Sequence, residues 1–197
     1  MDLGKLRIDG AISYLVPFSE RHLEDPSYLA WLRDHEVIKT LNLPEYLDSS
    51  PGLEDARAYF QALRDSANEM FLALYDKSDN LFVGSVRVGH IDWRSKVADL
   101  GIMIGRRERW GRGLASDAIS AVACYLFDTV GMRKLSGGAM ANNVAMVRIF
   151  EKLGFRREGV FRAQDYVDDD YVDHIYFGCF RDELIVSSPP ATAQRTA

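Results

Sequence analysis

The stretch VADLGIMIGRRERWGRGLASDAISAVACYLF, residues 97–127, constrains the chain most, because its apolar spacing changes from that of a strand to that of a helix across a turn holding Gly111 and Gly113. Beyond Gly113, Leu114, Ala118, Val122, Tyr125 and Leu126 fall on one helical stripe that ends before Gly131. The first N–H groups of a helix have no intrahelical partner, and they sit at the positive end of its dipole. Glycines there let an anion approach the backbone, so the turn reads as a phosphate site. The same residues also suit an ordinary strand-to-helix turn with solvated arginines.

Around this stretch the chain alternates between the two periods. MFLALY (70–75), LFVGSVRVGH (81–90) and KVADLGIMIG (96–105) are apolar and β-branched, and DKSDN and DWRS separate them at hairpin length, which predicts an antiparallel meander. Residues 11–17 read as a first strand, 26–40 as one or two short helices with Tyr28, Trp31, Leu32 and Ile38 inward, and 53–67 as a clearer helix. After the long helix come a strand KLSGGAM (134–140), a helix over 144–153 stopped by Gly154, and strands at 155–161 and 171–180. This order predicts an α/β (α+β) fold with a mixed sheet in one domain over 1–186, and a frayed tail over 187–197.

With 29 acidic against 24 basic residues the net charge is −5, which disfavours general binding to nucleic acid. Against that background Arg106, Arg107, Arg109 and Arg112 gather beside the two glycines. No apolar run is long enough to cross a bilayer and the N-terminal residues lack a signal-peptide pattern, so no membrane partner and a cytoplasmic location are expected. The two cysteines, Cys124 and Cys179, stand in a helical and a strand pattern without metal-ligand spacing, which predicts reduced packing residues and no metal. Two nucleotide motifs fail on detail: no Lys follows either glycine as a Walker A loop requires, and Ser116 stands where a dinucleotide fingerprint needs Gly or Ala.

IMIGRRERWGRGLASDAI, followed by NVAMVRIFEKLGFRREGVFR, resembles the GNAT superfamily of acyl-CoA-dependent N-acyltransferases, in particular its RimJ/RimL-type branch. The resemblance covers about residues 11–184 and implies a mostly antiparallel sheet of about seven strands, flanked by helices, with a splayed parallel pair. It implies acetyl-CoA as co-substrate, its pyrophosphate on the turn formed by Trp110, Gly111, Arg112, Gly113, Leu114 and Ala115, cradled by N–H groups from Arg112 to Ser116. Some of the nearby arginines, Arg109 among them, would meet the phosphates. The pantetheine arm would lie between VADLGIMIG and KLSGGAM, against the backbone of Ile102, Met103 and Ile104, with Asn143 and Phe150 also touching the cofactor. Gly101 in mid-strand is consistent with a bulge.

The resemblance also points to the chemistry. An ammonium has no lone pair with which to attack a thioester, so a base or a water chain must take its proton. ADLG matches a stretch where many members place a catalytic Glu, which makes Asp99, acting through water, the first candidate, with His90 able to share the task. The frame that supplies a Ser and a Tyr general acid in relatives gives Asn143, Met146 and Phe150 here, so no general acid is assigned. Asn143 would bond the pantetheine or an ordered water and can cap its helix as well. DYVDDDYVDH sets Asp165, Asp168, Asp169, Asp170 and Asp173 at the expected acceptor entrance, either as an acidic mouth for a cationic amine or as a solvated hairpin. Asp173, His174 and Tyr166 are the expected acceptor-binding residues. The expected reaction is direct acetyl transfer to a primary amine, on a small molecule or a protein N-terminus, by a monomer or homodimer; the alternative is a CoA-binding sensor or assembly module without turnover.

Overall fold

The meander forms where the apolar runs place it, as β3 (Met70–Asp76), β4 (Leu81–Asp92) and β5 (Val97–Ile104), each paired antiparallel with the next. The computed structural model describes residues 6–41 and 50–186; the tail expected at 187–197 lies outside them. Ahead of the meander come β1 (Ile8–Asp9), β2 (Ser13–Pro17), three short helices α1 (Glu20–Leu23), α2 (Pro26–Leu32) and α3 (His35–Ile38), and α4 (Leu53–Asp65). Behind it come α5 (Leu114–Tyr125), β6 (Lys134–Met140), α6 (Val144–Lys152), β7 (Arg156–Val167) and β8 (Asp170–Phe180).

The described strands make one eight-stranded sheet in the order β1-β2-β3-β4-β5-β6-β8-β7. The strand beyond the expected seven is β1, whose two residues are too few to show a period. Two clusters of buried side chains lie on the two faces. Met70, Leu72 and Leu74 join the cluster under α5 and α6, whereas Phe71 and Ala73 join Phe18, Trp31, Phe60 and Phe82 under α1–α4. Burial on both faces explains why β3 reads as an unbroken apolar run rather than an alternating one.

β5 and β6 are parallel and pair only from Val97↔Lys134 to Asp99↔Ser136. Beyond that they part, and the splayed pair expected from the family resemblance is present. The bulge expected at Gly101 is not: Gly101 pairs with Arg87 in unbroken register, and the irregularity falls between Gly89 and Asp92, where His90 adopts φ 49°. A side chain at 101 would meet nothing within 4 Å, so the bare residue leaves space in the gap rather than bending the strand.

α5 is buried nearly all round, continues as a π-helical turn over Leu126–Val130 and closes at Gly131 with φ 81°. Asp117 in its first turn anchors it to the sheet. That carboxylate accepts from the N–H groups of Ala11, Ile12 and Ser13 at 2.8, 3.1 and 2.9 Å and from Ser13 Oγ at 2.7 Å, which fixes the helix start against the β1–β2 turn.

Candidate active site

The start of α5 is an array of unused donors. None of the backbone N–H groups of residues 111–116 donates to another described residue; the first to do so is that of Asp117, to the Gly113 carbonyl at 3.0 Å. Gly111 and Gly113 hold φ 73° and 84°, a region that disfavours other residues, and neither is crowded: a Cβ at 111 would meet nothing, and one at 113 only Ile12 Cδ1 at 3.8 Å. The surface outside these amides is therefore open to a ligand. Of the arginines, Arg106 donates to the Phe82 carbonyl at 2.9 Å and to Ser27 Oγ at 3.1 Å, and Arg107 faces Asp34 and the Trp110 ring. Arg109 bridges Asp76, at 2.8 Å, and Asp79, whose hydrogen bond holds the guanidinium further above its ordinary value. Arg112 is exposed and has no partner among the described residues.

Where β5 and β6 part, a cavity of about 420 Å³ opens between the sheet and α2 and α4. Its floor carries Asp99, Gly101, Ile102 and Met103 from β5, with Gly138 of β6 and His174 and Tyr176 of β8 on the far wall. Asp99 accepts from Ser136 Oγ at 2.9 Å, across the last paired position before the strands diverge. Arg87 and His90 of β4 complete the near wall, and the rings of Tyr28, Tyr59 and Phe71 cover it. Arg87 makes two bonds of 2.7 Å to Glu69. Burial opposes charge on Glu69, yet these bonds hold its carboxyl below the usual range, so the two charges cancel locally.

His174 stands out by its packing. Its Nδ1 lies 2.7 Å from Asp165 Oδ2, with both residues buried. Gly138 makes room for the ring, since a Cβ there would sit 2.3 Å from His174 Nε2.

Residues 14–156 match the acetyltransferase (GNAT) domain family. The chain belongs to the GNAT acetyltransferase family. It is 25% identical over 166 residues to the N-acetyltransferase p20 of Bacillus licheniformis, covering 82% of this chain and 90% of that one. Among solved structures, spermidine N-acetyltransferase from Vibrio cholerae in complex with CoA and spermine superposes with a TM-score of 0.76 at 16% identity, over 88% of this chain and 98% of that one. Mycobacterium smegmatis RimJ in complex with CoA-disulfide superposes with a TM-score of 0.75 at 20% identity, over 92% and 88%.

Within this GNAT acetyltransferase the expected site residues divide. Asp99, His90, Ile102, Met103 and His174 come together around the cavity. Ile104 does not line it; its carbonyl accepts from Trp110 Nε1 at 2.7 Å, which braces the loop against the strand. The Leu114 side chain is core, and only its N–H joins those of Ala115 and Ser116 at the helix start. Asn143 caps α6, its Oδ1 accepting from the Met146 N–H at 3.1 Å while Nδ2 donates to the Thr40 carbonyl at 3.3 Å, and it lies outside the lining.

Four of the expected residues have their side chains engaged elsewhere in the structure. Phe150, expected against the cofactor, is fully buried in a ring stack with Phe155 and Phe177. Arg109, expected at the phosphates, is committed to Asp76 and Asp79 and so ties the β3–β4 turn to the loop. Tyr166 stacks on Tyr171, donates to Asp169 at 3.2 Å and is exposed away from the cavity. Asp173 accepts from the Ala163 N–H at 2.8 Å, where β7 is irregular, and does not line the cavity either.

None of the five acids of the run lines the cavity: Asp168 pairs with His35 and Lys39, Asp165 with His174, and Asp169, Asp170 and Asp173 accept from Tyr166 and from backbone N–H groups. Neither cysteine lines the cavity, and burial pushes the Cys179 thiol up to about 12. Among the described residues no cluster could hold a metal ion, and no helix is long and apolar enough to cross a membrane. Sequence reasoning missed Arg87, Glu69 and Tyr59, whose only signal is their place on elements that the fold brings together.

Proposed function

We propose that this protein transfers the acetyl group of acetyl-CoA to a primary amine by direct attack, in the manner of the RimJ/RimL-type branch. The observation that carries the reading is the row of unused amides at residues 111–116 beside the gap where β5 and β6 part. The residues fit the coenzyme: the amides and the α5 dipole suit a diphosphate, Arg112 supplies a cation, and the gap admits a narrow arm toward the cavity. Bound there, acetyl-CoA would supply an activated acyl carbon. On the far side of the gap β6 no longer pairs with β5 beyond Asp99, so backbone groups near Ile102 and Met103 are placed to meet the arm.

The acceptor enters the cavity over the rings of Tyr28, Tyr59 and Phe71, and its ammonium meets Asp99, the lining carboxylate. Aromatic faces and one carboxylate suit a cation. A bond forms from the amine nitrogen to the acyl carbon, the carbon–sulfur bond breaks, and CoA leaves. No covalent acetyl-enzyme is involved, since no cysteine reaches the cavity. The acceptor is a small-molecule amine or a protein N-terminus, and the reaction takes place in the cytoplasm.

A second reading, a CoA-binding module without turnover, draws on Phe150, a buried ring at the position where the family resemblance implies a general-acid Tyr. Calorimetry with acetyl-CoA, combined with a thiol-release assay over an amine panel, separates the two. Binding with release from at least one amine supports transfer; binding with none favours the module; no binding overturns both.

A further inference from the structure

We propose that His174 takes the proton from the attacking amine, with Asp165 as the residue that positions it, an inference that rests on the acetyl-transfer reading above. A carboxylate only accepts hydrogen bonds, so the 2.7 Å contact between Asp165 Oδ2 and His174 Nδ1 puts the ring proton on Nδ1. The lone pair of neutral His174 is then on Nε2. That atom has no partner among the described residues, and the residue lines the cavity.

The strand beside it is shaped for this ring. At Gly138 any side chain would overlap Nε2, and at Gly137 one would strike Phe150 Cζ at 2.3 Å. The two glycines of KLSGGAM thus admit one ring to each face of β6, a core ring on one and an imidazole on the other. The buried pair recurs nowhere else among the described histidines. His22 is also buried, but it is bonded at both ring nitrogens by Ser19 and Tyr75, lies outside the cavity and is lowered by burial to about 4.

His174 suits the task better than its neighbours. His90 is exposed and its ring has no fixing partner among the described residues, and Asp99 already accepts from Ser136 Oγ at 2.9 Å. Imidazole as a class titrates near neutral pH, where a general base works best. Among the described residues the charged and titratable groups facing His174 are Asp165 from β7, Tyr176 from β8, Asp99 from β5, and, across the cavity, Arg87 and His90 from β4, Tyr28 from α2 and Tyr59 from α4.

The ammonium bound at Asp99 first gives one proton to solvent, which leaves a neutral amine with a lone pair; as its nitrogen bonds to the acyl carbon, a second N–H proton passes to Nε2. As the C–S bond breaks its electron pair stays on sulfur, and the Nε2 proton returns to it, leaving CoA as the thiol and the imidazole neutral. One residue then serves as base and acid, and no hydroxyl at position 150 is required.

The test uses the full chain with acetyl-CoA and an accepted amine. His174→Gln should lower kcat about 100-fold or more with little change in acetyl-CoA affinity or melting temperature. Its pH profile should lose the acidic limb that belongs to the enzyme and keep only the titration of the amine. Asp165→Asn, which keeps an oxygen that can accept from Nδ1 but no longer dictates the tautomer, should lower kcat less than His174→Gln does while leaving KM for the amine unchanged. Activity of His174→Ala should recover with added imidazole. A His174→Gln turnover within threefold of wild type overturns the proposal, and so does a lowered turnover that keeps the wild-type pH limb, as lost packing alone would give. Wild-type protein that releases no CoA with any amine overturns the acetyl-transfer reading as well, which separates the two failures.

Discussion

The two ends of the proposed site, one for the coenzyme and one for the acceptor, are built from different material. At the coenzyme end the donors are backbone amides of consecutive residues, 111–116, and the side chains there are mostly core, absent or solvated. At the acceptor end nearly everything that matters is a side chain, drawn from α2, α4, β4, β5 and β8 and brought together only by the sheet. A backbone site depends on the path of the chain and tolerates most changes of side chain. A side-chain site depends on rotamers that neighbours such as Ser136, Glu69 and Asp165 hold in place.

Blocking the amides therefore gives the largest expected effect. Gly113→Trp puts a large ring over the open face of the loop, where the protein itself leaves room, and should weaken acetyl-CoA binding by more than about 100-fold in calorimetry. The positive φ costs a non-glycine residue on the order of 1 kcal/mol, so thermal unfolding should shift by only a few degrees. Unchanged affinity would remove the coenzyme from this loop and dissolve the contrast. The next effect is at the other end. Asp99→Asn keeps the shape and the contact to Ser136 while removing the charge, and should lower kcat/KM for the amine about tenfold to a hundredfold with acetyl-CoA affinity intact. A loss of acetyl-CoA binding instead would mean that Asp99 serves the coenzyme end.

This difference in material also decides what could be read in advance. The meander, the long helix and the loop are local: strand periods, a helical stripe and two glycines within three residues announce them. Phe150 was misplaced because motif register gives position along a helix but not which face the tertiary packing buries, and here Phe155 and Phe177 claim that ring. The acidic run reads equally as a binding mouth or as a solvated hairpin, because a sequence shows charge without partners. In the fold Asp165 goes inward to His174, while Asp168 reaches across to α3. The Glu69–Arg87 pair has no trace in the sequence, since its members are eighteen residues apart, one just ahead of β3 and the other on β4, and neither carries a motif.

The smallest expected effect tests the loop's remaining side chains, where four arginines of one run separate into different roles. Arg112, with no partner among the described residues, should contribute one charge-assisted contact to a phosphate, so Arg112→Ala should weaken acetyl-CoA about tenfold and reduce the dependence of binding on salt. Arg109→Ala removes a guanidinium already committed to Asp76 and Asp79, so its affinity should stay within about twofold while the melting temperature falls measurably. Asp76 is affected too: burial opposes its charge, and Ser78 and Arg109 together hold its carboxyl below the usual range, so losing Arg109 leaves a mostly buried carboxylate with Ser78 alone. If the order were reversed, with Arg109→Ala costing affinity and Arg112→Ala costing none, the coenzyme end would draw on a buried ion network. It would then resemble the acceptor end in kind, and the backbone-only description of the loop would have to be given up.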